Sequence, residues 1–305
     1  MNKERIRILH DNDCRSSFDV SVLGLGSMGT IMVHALLKQG KRVAIWNRSP
    51  GKADALVAAG AHLCESPQAA LAASPVAILV LLDDAAAQQV LAADGVTAAL
   101  AGRTIVNFTT NSEEQSAAQQ ALVNRAGGRY VKGMIIAYPR NVGRAESYCL
   151  YTGEQDAFEQ HQPLLQALAG QTLFLPWGEA LAFAAMLHAH MFTAMVTFYE
   201  SVGASRHFGM SLPKTARLLV DASRFFVADA LEDAARRFET EDFTGDQATI
   251  DVHAYAFEEI AYAMKAVGAS SPVFDAACQV IQRAQAMGFG EQDISAASRV
   301  FGPAS

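Results

Sequence analysis

The chain has 305 residues, too long for one ordinary hydrophobic core, so two domains are expected. Hydrophobic residues make up 51% of it and charged residues 18%, which excludes a disordered chain. A formal charge of −7 offers no basic face for neutralising phosphates and so argues against nucleic-acid binding.

Residues 1–17 carry Lys3, Glu4, Arg5, Arg7, Asp11, Asp13 and Arg15 with no apolar stretch after them, which reads as an N-terminal extension and not a secretory signal. A strand-like piece at 6–9 is a candidate edge strand within it. From 18 to 178, short aliphatic runs at 20–23, 42–46, 61–63, 76–82, 104–108, 129–132 and 147–151 alternate with helical stretches. That alternation predicts an α/β domain with a doubly wound parallel sheet. From 179 to 305 the strand pattern stops. Helices are predicted over 179–208, 213–222, 228–238, 249–267 and 272–286, with a last one over 293–300. Pro213 and Pro272 suit first helical turns, with Ser211 and Ser271 as candidate caps. The boundary is expected within Pro176-Trp177-Gly178.

The stretch 180–199 contains no Asp, Glu, Lys or Arg and is long enough to cross a bilayer. His188, His190, Thr193 and Thr197, the flanking Glu179 and Glu200, and the lack of a positive-inside bias favour a long helix buried between domains or subunits, and no membrane. The cysteines at 14, 64, 149 and 278 have neither zinc nor redox spacing, so a reducing, cytoplasmic setting is expected and no metal site.

Chemistry enters at Gly24-Leu25-Gly26-Ser27-Met28-Gly29, which follows the strand at 20–23 and opens a helix. The first glycine makes the turn and the second admits a pyrophosphate to the backbone. The third lets helix and strand pack closely, with the helix N-terminus facing the phosphates. At the end of the second strand stand Trp46-Asn47-Arg48-Ser49, with Lys52 beyond. An NAD site usually has an acid here for the ribose 2′-hydroxyl. Arg48 and Lys52 suit a 2′-phosphate instead, with Asn47 and Ser49 adding hydrogen bonds, so NADPH is the expected cofactor. Leu82 and Asp83 close the strand at 76–82, and Asn107 and Thr109 close the next; both loops should border the cofactor. Asp84 and Ser112 read as helix caps.

These motifs, with Val106-Asn107-Phe108-Thr109-Thr110, Gly133-Met134-Ile135-Ile136-Ala137-Tyr138-Pro139 and Gly288-Phe289-Gly290-Glu291-Gln292-Asp293, resemble the imine reductase/reductive aminase family of the β-hydroxyacid dehydrogenase-like superfamily. The resemblance runs from about residue 18 onward. It implies a Rossmann domain, a long interdomain helix and an all-α domain exchanged in a homodimer, whose cleft joins one subunit's cofactor domain to the other's helices. It also implies NADPH-dependent reduction of C=N bonds, in a preformed imine or in a ketone plus an amine. The alternatives are a 3-hydroxyacid-type dehydrogenase with an altered proton relay and a catalytically silent NADPH-binding protein.

β-Hydroxyacid dehydrogenases resembling this chain place a catalytic lysine early in the long helix and an asparagine four residues on. Met186 and His190 stand at those positions, and 180–199 holds no lysine. Imine reductases commonly carry an aspartate where Met186 stands and often an aromatic where Ala194 stands, and the chain departs at both. Helical spacing puts 186, 190, 193, 194 and 197 on one face, with His188 on another. His190 is therefore the first candidate for proton donor or substrate anchor, against the reading of a hydrogen-bonded core histidine. Tyr138 is the second, against a buried tyrosine with a satisfied hydroxyl. By the resemblance, Asn107 lies near the nicotinamide. Gly288, Gly290 and Asp293 stand either as a cofactor-side element or as a turn capped by Asp293. His253 and Phe257 read as pocket or core.

Overall fold

The computed structural model describes residues 17–49 and 51–302, so the strand-like piece at 6–9 lies outside the described residues. The chain divides into two compact units, Met1–Ala184 and Ala185–Ser305. The first unit runs β1 (Val20–Leu23), α1 (Ser27–Lys38), β2 (Val43–Trp46), α2 (Asp54–Ala58), β3 (His62–Leu63), α3 (Pro67–Ala72), β4 (Val76–Leu79), α4 (Asp84–Leu91), α5 (Val96–Leu100) and β5 (Thr104–Asn107). It continues with α6 (Glu113–Arg125), β6 (Arg129–Ile136), β7 (Tyr148–Gly153), α7 (Gln155–Leu165), β8 (Gln171–Phe174) and the start of α8 (Trp177–Ala204).

Eight strands form one sheet in the order β3-β2-β1-β4-β5-β6-β7-β8. All pairs are parallel except β6 with β7, which departs from the all-parallel expectation. The β6–β7 connection, 137–147, holds only a short 3₁₀ turn and no crossover helix, so the chain doubles back antiparallel. Alternate residues along each strand feed opposite cores. Val20, Val22, Val43, Ile45 and Ile78 pack beneath α1 and α7 with Tyr151 and Phe158. Leu23, Ala77, Leu79, Ile105 and Tyr130 pack under the helices of the other face. The strand order reverses at β1 and β4, which lie side by side and parallel, and that switch point opens a crevice at the strands' carboxyl edge.

The second unit holds the rest of α8, then α9 (Leu212–Ala222), α10 (Ala228–Thr240), α11 (Ile250–Ala266) and α12 (Pro272–Ala286), closed by a 3₁₀ helix at Ile294–Phe301. Pro213 and Pro272 do sit in first turns, but Ser211 and Ser271 occupy the cap positions without a side-chain cap bond. A small core of Ile250, Ala254, Ile281, Ala284 and Val300 ties α11 and α12 to the C-terminal turn. Arg237 is buried and donates to Asp233 at 2.6 Å, Asp246 at 2.5 Å and the Thr244 carbonyl at 2.9 Å, which fixes the loop before α11. Trp177–Phe208 is long and apolar enough to cross a membrane by length and composition. Within the chain, Met186, Phe192, Val196 and Tyr199 of α8 are exposed.

Candidate functional site

A crevice of about 530 Å³ opens at the switch point, lined by Gly24 to Gly29, by Trp46, Asn47, Arg48, Ser49 and Lys52, and by Pro67, Leu81, Leu82, Ala86 and Gln89 among others. The glycines divide the labour as steric argument requires. Gly24 has φ +105°, and a Cβ there would lie 2.2 Å from the Val80 carbonyl oxygen. A Cβ at Gly29 would lie 1.9 Å from the Gly24 carbonyl oxygen, so only glycine lets α1 start this close to β1. Gly26 is different: among the described residues, nothing beyond its chain neighbours lies within 4 Å of an added Cβ. The free space at Gly26 faces the crevice. α1 begins there with neither a side-chain cap nor an acid in its first turn, which leaves its first N–H groups for an anion. The cradle fits a dinucleotide pyrophosphate.

Arg48 and Lys52 line the same crevice beyond β2. Asn47 lines it too, and its carboxamide also makes two hydrogen bonds within the chain. Oδ1 accepts from the Leu25 N–H at 3.0 Å and Nδ2 donates to the Ser49 carbonyl at 2.9 Å. Asn47 thus locks the glycine turn to the cationic turn. The apolar run at 76–82 is strand only to Leu79, and Leu82 projects into solvent at 88% exposure on the crevice wall. Asp83 Oδ1 accepts from the Ala86 N–H at 2.9 Å and caps α4, the role expected of Asp84. Ser112 forms the expected cap, as a full capping box with Gln115.

Asn107 and Thr109 do not face a cleft. Asn107 is fully buried, donating to Gln119 Oε1 at 2.5 Å and Tyr130 Oη at 3.2 Å and accepting the Thr109 N–H at 2.8 Å. Thr109 is buried beside it, its hydroxyl accepting from the Leu81 N–H at 3.0 Å. Both shape the turn that presents exposed Thr110. Tyr138 is partly exposed, not buried, with the Arg140 guanidinium 4.7 Å over its ring. In the second unit His190 is exposed on α8, whereas His188 is half-buried and stacked on Phe192 at 5.7 Å. His253 donates to the Thr249 carbonyl at 2.9 Å, and Phe257 packs on Phe274 as core. Asp293 caps the C-terminal turn, accepting from the Ser295 N–H at 2.9 Å, and Gly290 lies against the Asp251 carboxylate.

Residues 19–178 match the family of the NAD binding domain of 6-phosphogluconate dehydrogenase, and 177–303 match the NADPH-dependent reductive aminase-like C-terminal domain. An imine reductase from a Pseudomonas species shares 32% identity over 93% of this chain and 99% of its own, with a TM-score of 0.80. The chain belongs to the imine reductase/reductive aminase family. A reductive aminase from Aspergillus terreus, solved with NADPH and ethyl-5-oxohexanoate, is 30% identical over 94% of this chain and 100% of its own, with a TM-score of 0.81. A Pseudomonas putida KT2440 protein, described no further than as a candidate oxidoreductase, is 65% identical over 95% of this chain and 99% of its own, with a TM-score of 0.92. The chain spans about half the length of the curated relatives it matches. The first unit is an NAD(P)-binding domain, and the cations that follow β2 line its crevice.

Sequence reasoning missed Pro67, Ala86 and Gln89 on the crevice wall and the buried polar residues Gln119, Tyr130 and Lys132. The signal available was Lys132 itself, a cation in the middle of β6 with apolar Val131 before it and Met134-Ile135-Ile136 after.

The glycine geometry separates two substitutions. Gly26→Ala should leave the melting temperature within a few degrees of wild type but lower NADPH affinity at least tenfold, because the new Cβ meets only the incoming phosphate. Gly29→Ala should lower both, because its Cβ collides with backbone. Thermal melts and fluorescence titration with NADPH check this. A Gly26→Ala protein that binds NADPH normally would place the pyrophosphate elsewhere.

Proposed function

We propose that the chain is an NADPH-dependent enzyme that reduces C=N bonds, taking an imine or iminium, or a ketone together with an amine. The observation that carries this reading is the composition of α8 in a chain of this family. No lysine stands anywhere in 180–199, and the position where a hydroxyacid dehydrogenase needs its relay is Met186. Oxidising an alcohol requires a base on the hydroxyl, and Met186 cannot be one. An iminium carbon is already electrophilic, so its reduction asks mainly for positioning and a suitable electrostatic surround. Bound NADPH supplies the hydride. The chain's residues hold the cofactor through the glycine turn and Arg48 and Lys52, and His190 offers a proton or a hydrogen bond to the substrate nitrogen.

The exposed apolar surface of α8 supports a further part of this reading, a homodimer. Met186, Phe192, Val196 and Tyr199 on α8, with Phe225 and Phe226 beyond α9, leave more large apolar side chains in water than a monomer ordinarily tolerates. Association of two copies through the helical units covers them.

NADPH oxidation with 1-pyrroline-type cyclic imines and with amine–ketone pairs, run beside hydroxyacid-dependent NADP⁺ reduction, tests the reaction. Imine turnover is expected. Hydroxyacid turnover alone would favour the dehydrogenase reading, and inertness to both a silent NADPH-binding protein. His190→Ala should lower kcat for imine reduction roughly tenfold to a thousandfold while the NADPH KM stays nearly constant. His188→Ala, whose ring is spent on Phe192, should do much less.

Sedimentation at micromolar concentration should give twice 32.6 kDa. A stable, active monomer would contradict the dimer.

A further inference from the structure

Beneath the carboxyl edge of β4, β5 and β6 lies a polar network that cofactor binding does not account for. Its centre is Thr109, the second residue after β5, which is held at each of its three polar groups. Its N–H donates to Asn107 Oδ1 at 2.8 Å, its hydroxyl accepts from the Leu81 N–H at 3.0 Å, and its carbonyl accepts from Lys132 Nζ. Asn107 is held in turn by Gln119, whose Nε2 donates to Asp84 at 2.6 Å. The neighbouring Phe108 ring lies against Gly133, where a Cβ would come within 2.6 Å of it, so the same turn is also packed onto β6.

A cation in this place is expensive. Lys132 is 5% exposed in mid-strand, in register with Asn107 on β5 and Thr152 on β7. A neutral side chain would fill the site without desolvating a charge. The turn it grips lies on the β4–β5 side of the switch point. The glycine turn and the cations after β2 take the pyrophosphate and the adenosine phosphate, so this other mononucleotide half is where the nicotinamide half of the cofactor belongs.

We propose that Lys132 is a positioning residue, whose ammonium holds the turn after β5 in place against the nicotinamide half of the cofactor. The proposal rests on the reading of the crevice as an NADPH site. It asks Lys132 to touch neither cofactor nor substrate: it acts through Thr109 on the exposed Thr110 beyond it.

A pH dependence follows. Burial pulls Lys132 down to about 8, with the Asp84 carboxylate on α4 opposing that shift. The other titratable group in the network, Tyr130 on β6, is pushed up by its own burial and stays neutral. Below pH 8 the ammonium is present and the turn is held. Above it the charge is lost and the grip on the Thr109 carbonyl weakens, so an alkaline limit near pH 8 is built into the turn.

The test compares wild type, Lys132→Met and Lys132→Arg in three readouts across pH 6.5–9.5: kcat, NADPH KM, and circular dichroism of the bound nicotinamide near 340 nm. In wild type, kcat should fall and the dichroic band should change with a midpoint near pH 8. Lys132→Met should lose at least tenfold in kcat at pH 7, keep its NADPH KM within about threefold, and show no such midpoint. Lys132→Arg keeps a donor and a charge that does not titrate in this range, so it should recover much of kcat and remove the alkaline limb. The arginine variant keeps the test decisive if the methionine variant does not fold. An alkaline limb and band midpoint unchanged in either folded variant would overturn the proposal. The dichroic band needs no substrate, so absence of imine turnover, which would count against the proposed reaction, leaves the role of Lys132 separately decided.

Discussion

Everything in the first unit hangs on how closely the start of α1 approaches β1. With a Cβ at Gly29 only 1.9 Å from the Gly24 carbonyl, the helix can sit where it does only because the side chain is absent. That approach aims the uncapped N-terminus of α1 into the crevice at the switch point and leaves Gly26 open toward it. Asn47 then carries the constraint to β2, because one carboxamide bridges the Leu25 amide and the Ser49 carbonyl. Arg48, inside the bridged turn, and Lys52 beyond it both line the crevice. The glycine turn and the turn after β2 are thus joined in one local geometry.

The other half of the sheet is organised by buried polarity. β5 ends in Asn107, and its side chain holds the following turn by a backbone amide where a hydrophobic residue would have held nothing directional. Gln119 and Tyr130 satisfy the remaining valences of Asn107, and Lys132 closes the carbonyl side of the turn. Satisfied networks of this kind are rigid because each missing partner leaves a buried group unpaired. Rigidity at a sheet edge suits a site that must present a flat ring to a substrate at fixed distance.

Much of this was legible in the chain, and the failures have physical causes. Aliphatic runs located seven of the eight strands, and the glycine motif placed the crevice, since both signals are local. β8 escaped because Gln171-Thr172-Leu173-Phe174 is a short, half-exposed edge strand with two polar residues. The apolar run at 76–82 overshot the end of β4 because the residues that line a nucleotide crevice are apolar too. Asn107 drew attention as a polar residue at a strand end, but its direction could not be read. Its partners Gln119 and Tyr130 are 12 and 23 positions away along the chain, and only the fold brings them together. The cap of α4 fell on Asp83 and not on Asp84 because a one-residue shift in the start of the helix decides which carboxylate caps it.

The central claim is that this crevice selects its nucleotide by the phosphate on the adenosine ribose. Calorimetric titration of wild type and Arg48→Ala with NADPH and with NADH addresses it directly. Wild type should bind NADPH well ahead of NADH. Arg48→Ala should weaken NADPH roughly tenfold to a hundredfold, the cost of about 1.5–3 kcal/mol for one charge-assisted phosphate contact, and leave NADH nearly unchanged. An NADPH-to-NADH affinity ratio that does not move with Arg48 would contradict the account.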